Sequence, residues 1–168
     1  MAVTGDQFRR ELVGLLPRLR RFGRALCGNA ADADDLVQTT IEKALTRFDQ
    51  WEPGSRLDWW MFRIMKNAWI DTRRAQMSRA KSHADPDMAE TVVGESEASI
   101  MARLELREVE RAMQVLPDEQ RLAISLVLIE GLSYREAAEL LQVPIGTLTS
   151  RLARGRGALE AALGGGSL

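Results

Sequence analysis

The stretch LSYREAAELLQVPIGTLTSRLARGR, Leu132–Arg156, decides the fold. Ser133 followed three residues later by Glu136 matches a capping box, so a short helix starts there and ends near Leu141. Gln142-Val143-Pro144 turns the chain, and a last helix is predicted from Ile145 to Leu163. Two helices joined by so tight a turn, with the small Ala137 and Ala138 at their crossing, make a helix-turn-helix. Val143, Ile145, Leu148 and Leu152 are expected to face inward. At about 100° per residue, Thr147, Ser150, Arg151 and Arg154 gather on the opposite side.

Residues 143–156 hold Arg151, Arg154 and Arg156 and no acid, although the whole chain has a formal net charge of −1. Arginines suit guanine edges and phosphates, and short hydroxyls allow close approach to bases. Backbone attraction depends on the local cation excess rather than on the chain total. The helix is therefore expected to enter a major groove; the plainer alternative is an amphipathic helix with a solvated basic face. Either Arg151 or Arg154 can be the base reader, because the wheel assigns their shared face better than their depth.

Outward from that stretch, the remaining patterned sequence also reads as helix. Apolar residues recur at helical period over 6–27, 31–48, 57–79 and 100–116, and LPDEQ opens a further helix that stops near Gly131. Ser55 with Asp58 is a loose capping-box variant. No strand pattern is present. Residues 80–99 are acidic and poor in apolar residues, with 5 Asp/Glu against 2 Lys/Arg over 78–99. The expected organisation is all-α: a domain over 1–79, a flexible linker over 80–99 and a domain over 100–168.

The 168 residues are 45% apolar and 28% charged, a globular composition. No run is long enough to span a bilayer and the N-terminus lacks a signal-peptide core, so a cytoplasmic location is expected. The single cysteine, Cys27, and the single histidine, His83, leave no disulfide framework, no cysteine zinc site and no evident catalytic cluster. No cofactor is expected.

Two more surfaces stand out. On the helix over 57–79, Leu57, Trp60, Met61, Ile64, Met65, Ala68 and Thr72 are assigned to core. The other face gathers Trp59, Phe62, Arg63, Lys66, Ile70, Arg73 and Arg74. Aromatics interleaved with cations suit single-stranded nucleic acid, at ~1–3 kcal/mol per stacked base; alternatively, Trp59 and Phe62 pack on a neighbouring helix. Trp51 is a weaker stacking candidate. On the helix over 31–48, Asp35, Gln38, Thr39 and Glu42 form a polar, acidic stripe that fits a basic protein partner.

Taken together, these residues resemble the extracytoplasmic-function sigma factors of bacteria. DADDLVQTTIEKAL (32–45) is similar to that family's region-two signature. WWMFRIMKNAWIDTRR (59–74) is similar to its W-x-x-x-I-x-x-N-x-x-x-D-x-x-R helix, met at Trp60, Ile64, Asn67, Asp71 and Arg74. Residues 116–156 resemble its region four.

The resemblance implies a protein that binds core RNA polymerase, directs it to promoter DNA, helps melt the duplex and is held inactive by an anti-sigma factor. It implies that Asp35, Gln38, Thr39 and Glu42 meet the β′ clamp helices. Trp59, Arg63, Lys66, Asn67, Arg73 and Arg74 would serve the minus-ten element, and Thr147, Thr149, Ser150, Arg151 and Arg154 the minus-thirty-five element.

Three positions depart from the family's pattern: Trp59 stands where relatives usually have a small residue, Thr149 and Ala153 replace larger or basic residues, and Gln142 stands where glycine is common. A positive φ at Gln142 would carry strain of about 1 kcal/mol. A helix-turn-helix regulator that is no sigma factor would share 133–156 but leave 32–45 and 59–74 unexplained. An enzyme or a plain helical adaptor would leave the arginine face unexplained.

Overall fold

The computed structural model describes residues 5–79 and 96–164, and among them there is no strand. The N-terminal half contains α1 (Gly5–Cys27), α2 (Ala30–Thr46), a 3-10 turn (Phe48–Gln50) and α3 (Leu57–Arg79). The C-terminal half contains α4 (Glu97–Gln114), α5 (Asp118–Ile124) running on into a π-type turn (Ser125–Ile129), α6 (Tyr134–Leu141) and α7 (Ile145–Ala162).

Local chemistry explains the breaks. Gly28 takes φ 78°, which releases the chain from α1, and the Asn29 side chain then caps α2 by accepting the Asp32 amide at 2.8 Å. The Ser133–Glu136 capping box is closed in both directions, at 3.2 and 2.8 Å. Gln142 does adopt the left-handed conformation, φ 55°, and its amide caps the end of α6. Pro144 then precedes the first residue of α7.

Three boundaries differ from expectation. Ser96 caps α4 by accepting the Ser99 amide, so residues 97–99 are helix rather than linker; residues 80–95 lie outside the described residues. The Ser55 hydroxyl donates to the Glu52 carbonyl, and Asp58 accepts the amide of its own neighbour Trp59, so no capping box forms there. Helix α2 stops at Thr46, two residues short, because Phe48 tucks edge-on against Phe8, 4.9 Å between centroids.

Phe8, Phe22, Met61, Phe62 and Met65 fill the N-terminal core, and Ile124, Leu126, Leu140 and Leu148 the C-terminal one. Burying each such side chain contributes about 1.5–3 kcal/mol. Gly155 lets α7 approach α5 closely: a Cβ there would stand 3.0 Å from Ile124. The two cores join into one apolar cluster, with α1 packed on α4 and α3 on α6.

Outside α3, two inward or outward assignments fail. Trp51 is 5% exposed and packs on Phe8, so it offers no stacking face. Ile145, expected inside, is 55% exposed because the first turn of α7 projects past the core.

Candidate nucleic-acid and polymerase interfaces

Helix α2 buries Ala33, Leu36, Val37, Thr40 and Ala44, which turns Asp35, Gln38, Thr39 and Glu42 outward as one exposed stripe. The Gln38 amide donates to Glu42 at 3.2 Å, tying the stripe together at i,i+4.

Helix α7 buries Leu148, Leu152, Gly155 and Leu159. Ser150 and Arg154 are exposed on the face opposite, Thr147 is half-buried, and the Thr149 hydroxyl is turned back onto the Ile145 carbonyl at 2.9 Å. Arg151 is half-buried, with Nε 3.5 Å from Glu119 on α5. The expected face therefore exists. Its two arginines differ in setting: Arg151 leans on an acid and Arg154 stands clear on the outer surface.

Helix α3 is less simple. Arg63, Asn67 and Arg74 are exposed, and the Arg63 guanidinium lies 5.8 Å from the centre of the half-buried Trp59 ring. Phe62 is not on an open face: it is wholly buried, edge-on to Phe22 at 5.2 Å. Thr72, assigned to core, is exposed.

Lys66 is corrected as well. Expected on the exposed face, it is only 6% exposed, and its Nζ donates to the Leu140 carbonyl of α6 at 3.4 Å. Burial pushes its pKa down, and the nearby Arg63 charge adds to that. Arg73 is occupied too, donating twice to Asp118 of α5 at 3.1 and 3.2 Å.

The sequence reading missed Lys43 and Arg47. They stand four residues apart at the C-terminal end of α2, Arg47 just past its last residue, and line a hollow with Asn67, Asp71 and Arg74. Their spacing was the available signal.

The reading also passed over Arg18, Arg21 and Arg24 of α1. Glu130 receives Arg18 and Arg21, and Glu110 receives Arg24 at 2.7 Å. Cys27 lines a cleft with Asp35, Trp69 and Arg121, and burial followed by the Asp32 charge pushes its thiol up to about 12. That keeps it protonated at neutral pH.

Residues 12–66 match the family described as the Sigma2 domain of PhyR, and residues 106–159 match Sigma-70, region 4. The chain is 39% identical over 158 residues to the ECF RNA polymerase sigma factor EcfG of Rhodopseudomonas palustris, covering 94% of this chain and 86% of that protein. The chain belongs to the ECF RNA polymerase sigma factors. Its fold is similar to a chain in the co-crystal structure of the sigma factor RpoE with the anti-sigma factor NepR from Bartonella quintana: TM-score 0.75, 31% identity, 93% of this chain and 96% of that one. A second likeness is to the structure of CnrH in complex with the cytosolic domain of CnrY, with TM-score 0.67, 28% identity and 95% and 91% coverage. This sigma factor is therefore a transcription initiation factor, built with both a sigma-two and a region-four segment. No helix among its described residues is long and apolar enough to cross a membrane.

Proposed function

We propose that this sigma factor works in the cytoplasm, docks on core RNA polymerase through the α2 stripe and positions it on promoter DNA, with no catalysis of its own. The segment up to residue 79 and the segment from Ser96 onward act as separate domains in that complex, joined by the linker between them. The region-four helix α7 enters the major groove at the minus-thirty-five element with Thr147, Thr149, Ser150, Arg151 and Arg154. Arg63, Asn67, Arg73 and Arg74, with Trp59 and Lys66, serve the minus-ten element, and Lys43 and Arg47 extend that basic surface. The observation that carries this is the open face of α7, where Ser150 and Arg154 are exposed beyond a capped, proline-turned helix pair. An anti-sigma factor controls it; the solved complexes of two relatives with NepR and CnrY support that control.

The test is transcription by purified core enzyme from a promoter library. Addition of the protein should yield transcripts from a defined promoter subset, and Asp35→Arg/Gln38→Ala should weaken core binding without unfolding, since exposed helix positions tolerate substitution. DNA binding with no stimulated transcription would make the chain a regulator of another kind.

A further inference from the structure

Among the described residues, five ion pairs across the seam between the two halves run the same way, with the cation on the N-terminal half and the carboxylate on the C-terminal half. Glu130, whose side chain is 0% exposed, accepts from Arg18 at 3.2 Å and from two nitrogens of Arg21 at 3.1 Å. Glu110 accepts from two nitrogens of Arg24, at 2.7 and 3.2 Å. Asp118 takes Arg73 in the same forked fashion, and Glu136 takes Arg56. A carboxylate presented to both arms of a guanidinium offers the geometry a phosphate would. Lys66, with no acid nearby, is closed off by a backbone carbonyl of α6.

We propose that this seam is a latch: in the free protein the C-terminal carboxylates occupy, in place of DNA phosphates, the cations of the N-terminal half. The proposal rests on the assignment of Lys66 and Arg73 to promoter DNA. A guanidinium whose donors are spent on Asp118 cannot give the same donors to a phosphate, so DNA that needs them binds only the open form. Apparent affinity then falls by the fraction of molecules that are open. The closed C-terminal half also stands beside the polymerase stripe, since Asp35 and Thr39 share a cleft of about 350 Å³ with Gln114 and Arg121. A partner seated on that stripe therefore meets the seam directly.

The experiment uses the full chain with Glu110→Gln/Glu130→Gln, two positions outside every interface proposed above. Spin labels on Asp49→Cys and Glu160→Cys, in a Cys27→Ser background, report the distance between halves. A fluorescent mixed-sequence single-stranded 20-mer reports DNA binding. The double variant should keep its helical circular dichroism, gain a longer-distance population and bind the 20-mer more tightly, about tenfold if one wild-type molecule in ten is open. A folded variant with an unchanged distance distribution overturns the latch. A longer distance with unchanged DNA affinity overturns the competition with phosphates, leaves the seam a plain packing contact and removes Lys66 and Arg73 from the promoter contact. Should the double variant lose its fold, Arg24→Glu and Arg24→Glu/Glu110→Arg decide: the swap should restore the closed distance lost in the single variant, and a swap that stays open overturns the proposal.

Discussion

Helices α3 and α7 both present a basic face, yet α3 has given more of its face to its own chain. On α7 the buried set Leu148, Leu152 and Leu159 is satisfied within the C-terminal half, which leaves Ser150 and Arg154 to the outside. On α3 the apolar set is wider. Trp69 joins Met61 and Met65 in the core, and the flank that carries Lys66 and Arg73 meets α5 and α6. A helix with one apolar stripe has a second face to offer a ligand. One packed on two sides has already given part of that face to its own chain.

The largest expected effect comes from the residue that pins α3 and α1 to the C-terminal half. Arg121 is 3% exposed, donates to the carbonyls of Leu26, Gln114 and Leu116 at 2.9–3.0 Å, and lies 5.6 Å from the Trp69 ring centre. Arg121→Ala leaves those acceptors buried and should cost about 3–5 kcal/mol. Thermal unfolding checks this. A change below about 1 kcal/mol would mean the seam contributes little and the contrast between α3 and α7 is one of surface position alone.

Lys66→Met sharpens the comparison in the opposite sense. Lys66 is desolvated for a single long hydrogen bond, and its lowered pKa means the charged form is disfavoured on folding. That penalty is present at neutral pH and is relieved as pH rises toward the ordinary lysine value. Met should therefore raise stability by about 1 kcal/mol, seen in urea midpoints, while weakening single-stranded DNA binding. A destabilised variant would contradict the account of its burial.

The pH dependence should be smaller. Burial tends to raise the Asp58 carboxyl, but donors from Arg56 and Arg18 and the Trp59 amide more than offset it, and the net shift is downward. Glu136 is lowered by the Ser133 amide and hydroxyl and then by Arg56. Both shifts are downward, so their stabilisation is present above the ordinary carboxylate pKa and fades as acid carries the pH through the lowered values, below about pH 4. A stability profile that falls already between pH 6 and 5 would point to other groups.

Much of this was legible in the sequence, and the reason is local. The Ser133–Glu136 box, the strained turn at Gln142 and the faces of α2 and α7 depend on residues within a turn or two. What escaped depends on distance along the chain. Arg18 and Glu130 are separated by 112 residues, and Lys66 reaches a carbonyl 74 residues away. Periodicity could mark Phe62 and Lys66 as lying off the main apolar stripe of α3, but not that a second layer would cover them. The arginines at 18, 21 and 24 gave no local signal because their acids belong to the other half.

The most direct test of the contrast is the salt dependence of binding to a mixed-sequence duplex by the full-length wild type, Arg154→Ala and Arg73→Ala. Each phosphate contact contributes close to one unit to the slope of log affinity against log salt. Arg154 stands open, so its loss should reduce the slope by about 1. Arg73 is held by Asp118, so its loss should leave the slope unchanged. Equal reductions for the two variants, or a reduction for Arg73→Ala alone, would contradict the claim that α7 is open and α3 is covered.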